Sequence, residues 1–252
     1  TDRRRACRAG GRLMEWREEG ILLNRRRHGE SAAIIEVLTE GHGRHAGIVR
    51  GGGGRRMAPV LEPGNQVDVT WRARLEDHLG AFTVEPVQSR AARLMADRRT
   101  LAGLNAMTAL LSFALPEREP HADTYRRTLA VLEMMETGPY WPLAYLRWEL
   151  SLLEELGFGL ELTTCAVTGA TDGLEYVSPK SGRAVSGAGA GEYKDRLLPL
   201  SSALVGGSEG ADQDVQDGLR VTGHFLETWL AQSLGDRPLP DARARLVELL
   251  SR

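Results

Sequence analysis

The chain has 252 residues, 42% of them hydrophobic, with 32 Lys+Arg against 34 Asp+Glu and a net charge of -2. That is room for one large domain or two to three small ones around a real core. No apolar run approaches the ~20 residues that span a bilayer. The only two cysteines, Cys7 and Cys165, exclude a disulfide scaffold and fit a reducing cytoplasm.

Residues 1–13 are basic and lack the apolar stretch of a secretory signal. We read them as a disordered extension, with Met14-Glu-Trp16 opening the folded chain. From there to about residue 90 the pattern is short strands, at 20–24, 32–39, 44–50, 66–75 and 80–85. Five strands fit a small closed barrel. An OB-type barrel is the usual five-stranded solution, and an SH3-like barrel is the rival.

The third strand leads into four glycines, Gly51 to Gly54, which read as a mobile loop. No acid occurs between Glu40 and Glu62, so Arg44, Arg50, Arg55 and Arg56 stand unneutralised there. A guanidinium forks onto phosphate oxygens, so such a stretch suits a polyanion; a solvated surface loop is the plain alternative. Arg25, Arg26, Arg27, Arg72 and Arg74 add to the basic set on the same barrel. Trp71 and Phe82 offer faces for base stacking or side chains for the barrel core. Further on, residues 208–218 carry Glu209, Asp212, Asp214 and Asp217 with no base, which confines a polyanion site to the front of the chain.

Beyond residue 91 the period becomes helical. Leu101, Leu104, Met107, Leu110 and Leu111 share one face, Tyr125, Leu129, Leu132 and Met135 a second, and Leu146, Leu150, Leu153 and Leu156 a third. Pro116, Pro120 and Gly138-Pro139 separate them. A small loop-and-strand module follows at about 163–195. Its Cys165-Ala-Val-Thr168 has the spacing of half a zinc knuckle with one thiolate missing, and no second Cys pair follows, so no metal is expected. A helix over 219–234, with Val221, Phe225, Leu226, Trp229 and Leu230 inward, and a last helix over 242–250 complete the chain. Neither an HExxH motif, a nucleophile elbow nor a Walker loop is present, which speaks against an enzyme.

Three stretches taken together carry a family resemblance. They are Leu38-Thr-Glu-Gly-His-Gly-Arg-His-Ala-Gly47, then Glu149-Leu-Ser-Leu-Leu-Glu-Glu-Leu-Gly-Phe-Gly159 running into Cys165-Ala-Val-Thr-Gly169, and Tyr176-Val-Ser-Pro-Lys-Ser-Gly-Arg-Ala-Val185. In order and spacing they resemble the bacterial DNA repair protein RecO family of recombination mediators, from about Met14 onward. The resemblance implies an α+β protein: an N-terminal OB-fold barrel at 14–90, then an all-α helical domain at 91–252 with a degenerate zinc-finger-like insertion. Some members carry four zinc thiolates; of that set only Cys165 stands here.

The resemblance also implies binding of single- and double-stranded DNA, annealing of complementary strands, and RecA loading together with RecR. Partners so implied are RecR, the acidic tail of single-strand binding protein and, indirectly, RecF and RecA, at the nucleoid in the cytoplasm and away from membranes. No cofactor is implied. The tail needs an apolar pocket rimmed by guanidinium, for which Arg126 and Arg127 are the candidates. An RNA-binding OB-fold protein of translation or ribosome maturation is the alternative, because charge alone does not tell DNA from RNA.

Overall fold

The computed structural model describes residues 14–207 and 212–251; the extension expected at 1–13 and Glu209 lie outside the described residues. Strands β1 (Met14–His28), β2 (Ala32–Thr39), β3 (Gly43–Val49), β4 (Gln66–Ala73) and β5 (Ala81–Gln88) form a closed barrel in the order β1-β2-β3-β5-β4. This is the OB arrangement, and it rests on one long strand. The first half of β1 pairs with β4 and its second half with β2, across a bulge between Leu22 and Asn24 that lets the strand bend. Ring closure is weak at one place, because β3 and β5 meet at the single parallel pair Ile48↔Ala81.

Leu22, Ile35, Val37, Val67, Val69, Trp71 and Phe82 fill the barrel. Ile21, Leu23 and Leu38 point the other way and join the core of the helical body. Consecutive apolar residues in β1 are thus covered on both faces. The four glycines do not form the open loop expected from sequence. Gly53 N donates to Ser31 O at 3.0 Å and Leu61 N to Met57 O at 2.9 Å, and Leu61 is fully buried in the barrel. A Cβ on Gly52 would lie 3.0 Å from the Ala33 Cβ, so glycine lets the segment lie directly on β2. The stretch is a hydrogen-bonded cap anchored by Leu61.

The body begins with helices α1 (Arg90–Leu94), α2 (Arg98–Ala114), α3 (Ala122–Thr137) and α4 (Trp141–Glu155). The Asp97 carboxylate accepts from Arg99 N and Thr100 N and starts α2. Pro142 opens α4, where a missing N–H costs nothing. The three apolar stripes meet as one core through Leu104, Met107, Leu110, Leu132, Leu146 and Leu153. Buried Arg90 bolts the barrel to this body, donating to Gln66 Oε1 at 3.0 Å and pairing with Glu136 Oε2 at 3.4 Å.

The insertion follows α4 as a three-stranded sheet, β6 (Leu174–Val177), β7 (Ala184–Ser186) and β8 (Leu198–Pro199), in the order β7-β6-β8, with the short α5 (Gly187–Ala190). Then come α6 (Asp212–Phe225), a π turn at Leu226–Leu230, α7 (Ala231–Ser233) and α8 (Asp241–Leu250). The π turn lets Phe225, Leu226 and Leu230 all bury, while Trp229 packs on Phe225 at 4.4 Å and over Gly182 of the insertion. Among the described residues no helix is long and apolar enough to cross a membrane.

One polar network crosses the core. Glu149, fully buried, takes both arms of Arg243 at 2.8 and 2.9 Å, with Tyr145 Oη at 2.8 Å and Thr222 Oγ1 at 2.6 Å supplying its remaining donors. Burial opposes the charge of Arg243, but the Glu149 carboxylate outweighs it and raises the arginine's pKa. Removing one partner leaves an uncompensated buried charge. Arg243→Met is therefore expected to cost about 3–5 kcal/mol in urea unfolding, and the double variant Glu149→Leu/Arg243→Met clearly less than the two single losses added together. Simple additivity would contradict the network.

Candidate nucleic-acid interface

At one end of the barrel, the end of β3, the cap, the end of β4 and the start of β5 enclose a cleft of ≈ 580 Å³. Val49, Met57, Ala73 and Phe82 form its apolar floor, and Arg50, Arg72 and Arg74 stand around it. Arg72 is shared with Glu15 Oε1 at 2.8 Å on an open surface, where such a pair is worth little and can exchange partners. Arg50, Arg55, Arg56 and Arg74 are exposed and have no carboxylate partner among the described residues. Gly53 ties the cap to the β1–β2 turn, which sets exposed Arg26 and Arg27 at the same end of the barrel. Arg25 is half committed: its guanidinium donates to Ala58 O at 3.1 Å and lies 3.8 Å from Glu62.

The fold does not bring Arg44 into that group. Its side chain is mostly buried, donates to Leu115 O at 2.8 Å, and pairs with Glu36 at 3.2 Å and Glu117 at 3.6 Å. It clamps the barrel to the link between α2 and α3. Leu115 lies 71 positions further along the chain, so local sequence counts Arg44 as one more free cation. Trp71 and Phe82 are core, 1% and 4% exposed, although Phe82 also walls the cleft. On the helical body Arg126 pairs with Asp123 and reaches Glu40 at 3.7 Å. Arg127 instead lines a hollow of ≈ 290 Å³ between α3 and α4, with Arg147 opposite and Val131, Met134, Leu143 and Trp148 beneath.

Sequence reasoning missed a second cavity in the barrel, also ≈ 580 Å³, between the start of β1, the β2–β3 turn and Arg118 of the body. Trp16 stacks on His42 at 4.1 Å with 9° between the planes, and His45 sets its edge against Trp71 at 4.7 Å. Arg118, a left-handed residue with φ 64°, reaches over from the body and donates to Glu76 O and to His78 O (2.9 Å). His45 is 4% exposed and neither ring nitrogen has a partner. Burial, then the charges of Arg118 and His42, press its pKa down to about 4, so the ring is neutral at pH 7. The Gly-His-Gly-Arg-His run is legible in sequence only as a turn, because the rings that meet it come from β1 and β4.

In the insertion, Cys165 Sγ accepts from Ser186 N at 3.2 Å, Ser186 Oγ at 3.3 Å and Thr168 N at 3.4 Å. The Ser186 bonds, and Thr168 after them, pull the thiol down to about 6 against the opposing effect of burial. Gly189 packs against the sulfur, where a Cβ would stand 3.1 Å from it. One thiol, two hydroxyls and a glycine do not fit tetrahedral zinc. No group of three or more His, Cys, Asp or Glu suited to a metal occurs among the described residues.

Fold and cleft together define a protein built from an OB barrel with a basic groove and a helical body. Two family models cover most of the chain: Recombination protein O N terminal matches residues 14–90 and Recombination protein O C terminal residues 95–238. The DNA repair protein RecO of Roseobacter denitrificans is 62% identical over 239 residues, 95% of this chain and 99% of that protein. The protein of the same name from Ruegeria sp. is 58% identical over 239 residues (95% and 99%), and that of Cereibacter sphaeroides 59% over 240 (95% and 100%). The chain belongs to the RecO family.

His45 supplies a pH test of the second cavity. An unfolded histidine titrates near 6.5 and this folded one near 4, so the unfolded chain binds the extra proton between those values. Stability contributed by the neutral ring is present above pH 6.5 and lost as the pH falls toward 4. The loss is of order 1–3 kcal/mol. Urea unfolding at pH 7 and pH 4.5 should show His45→Gln losing less on acidification than the native chain; equal losses would place the titrating group elsewhere.

Proposed function

We propose that this chain is a DNA repair and recombination mediator that binds single- and double-stranded DNA, anneals complementary strands and, with RecR, helps to load RecA. The observation that carries the reading is the cleft of the barrel, with unpaired guanidinium groups over an apolar floor, in a chain of the RecO family. Annealing makes and breaks no covalent bond. It requires that the charge of two backbones be screened while bases stay accessible, and arginines around an open cleft do the first. The DNA-binding unit in this reading is the barrel, residues 14–90, and the partner-binding unit the body from 91 onward. The protein acts in the cytoplasm, on the nucleoid.

The hollow between α3 and α4 is our candidate for the acidic, apolar-ended tail of single-strand binding protein. Met134, Leu143 and Trp148 offer the apolar seat and Arg127 and Arg147 the cations for its carboxylates. Arg147 is held in place by Gly207 O at 2.7 Å. Arg126, expected from sequence beside Arg127, does not line the hollow and pairs on the surface with Asp123 and Glu40, so our candidate rim is Arg127 with Arg147.

Two experiments test these assignments. In fluorescence anisotropy with a labelled single strand across a salt series, Arg50→Ala/Arg74→Ala should weaken binding and reduce the salt slope by about one for each phosphate no longer neutralised. An unchanged slope removes the cleft from the DNA path. With a labelled acidic tail peptide, Arg127→Ala/Arg147→Ala should weaken binding about tenfold or more while Arg126→Ala stays near native. Retained binding by the double variant moves the peptide site elsewhere.

A further inference from the structure

The cavity between the start of β1, the β2–β3 turn and Arg118 is not explained by packing. A buried imidazole with two unpartnered nitrogens is an exception in folded proteins, where buried polar atoms find partners. Arg118 adds a third, because its Nε is also buried without a partner. Both side chains line the same space, so this wall of the cavity carries three hydrogen-bonding atoms that the fold leaves unpaired. Its open wall is flat: half-buried Trp16 with its stacked His42, backed by the buried ring of Trp71 at 6.0 Å from Trp16.

The charge of this space selects among ligands. Glu15 and Glu76 line it, and Glu18 holds His42 at 2.7 Å. Glu15 is paired with Arg72 and Arg118 stands with Glu76 in the lining, so the space holds no surplus of positive charge that would favour a phosphate over a neutral ring. A neutral imidazole has one donor and one acceptor, which is the pattern on the edge of a nucleobase. Aromatic walls suit its faces, since every base has a π-face and stacking tolerates sequence.

We propose that this cavity takes an unstacked nucleobase from a single strand whose backbone runs in the basic cleft. The proposal rests on the nucleic-acid reading above and adds a second, base-binding site to it. The β4–β5 hairpin joins the two: Arg72, Arg74 and Phe82 face the cleft, whereas Trp71 and Glu76 line the cavity. Phe82 stands between them, its ring 5.9 Å from Trp16 and 6.2 Å from His45. A strand leaving the cleft past the hairpin can turn a base inward while its phosphates stay with the arginines. Duplex bases are already stacked and paired, so only single strands use the site.

The test compares a single-stranded oligodeoxynucleotide with one of equal length made of abasic sites, titrated into the full chain at several salt concentrations. Both strands present the same phosphates. The base-bearing strand should bind about 5- to 100-fold more tightly. His45→Phe fills the cavity with a ring that has no hydrogen-bonding atom and should shrink that ratio while leaving the salt slope intact. His42→Ala, at the more exposed end of the stack, should shrink it as well and serves where His45→Phe does not fold. Arg50→Ala/Arg74→Ala should do the reverse, lowering the slope and keeping the ratio. A ratio near one for the native chain overturns the base site and leaves the DNA reading standing, as does an unchanged ratio in His42→Ala. Binding of neither oligonucleotide overturns both.

Discussion

A five-stranded barrel that closes through one residue pair needs something outside the ring to hold it shut. Ile48↔Ala81 is the only register pair between β3 and β5. The work is done by arginines reaching across the joint with the helical body. Arg118 donates from its fork to two carbonyls of the β4–β5 hairpin, and its own amide bonds Arg44 O at 2.8 Å. Arg44 answers by holding Leu115 O, and Arg90 fixes the opposite side through Gln66 and Glu136. A planar guanidinium with donors in a rigid fork bridges two acceptors in a way an ammonium does not. The body is therefore part of the barrel's closure, and the basic cleft is shaped by residues that never face it.

This sorts the arginines of the front half into two kinds. Arg44, Arg90 and Arg118 are consumed in the joint; Arg50, Arg55, Arg56 and Arg74 are left to solvent. In sequence the two kinds look alike. What is legible there is everything local: alternation in 66–75, the helical stripes from Leu104 to Leu153, the Pro and Gly stops, and the acid-free run after Glu40. Local signals fail where the partner is distant. Arg44 reads as a free cation because Glu117 and Leu115 lie far along the chain. The glycines read as an open loop because Ser31 and Ala33, on which they lie, precede them by a whole strand. His45 carries no signal at all, since its cavity exists only once β1, β3 and β4 meet. Barrel topology itself comes from family resemblance, as strand order leaves no mark on periodicity.

The insertion makes a related point about substitution. A knuckle that loses three thiolates would be left with an unsatisfied sulfur and a hole. Here Ser186 supplies two donors to Cys165 and Thr168 a third, while Gly189 leaves just the room the sulfur needs. The small sheet then keeps its place by packing, with Val177 in the main core and Gly182 beneath Trp229. The insertion is thus held by hydrogen bonds and packing contacts of its own residues.

The network around Glu149 has a consequence for the order in which this protein is made. The carboxylate emerges from the ribosome on α4, but its counter-ion arrives on α8, 94 positions later in the chain. Thr222 comes 73 positions after Glu149, so through most of that interval the acid has no donor beyond Tyr145. A core that buried Glu149 early would hold a bare charge, which is strongly unfavourable. The helical body is thus kept from locking until its last helix is available. The barrel waits for less of the chain, because the body residues that close it, Leu115, Arg118 and Glu136, all precede Glu149.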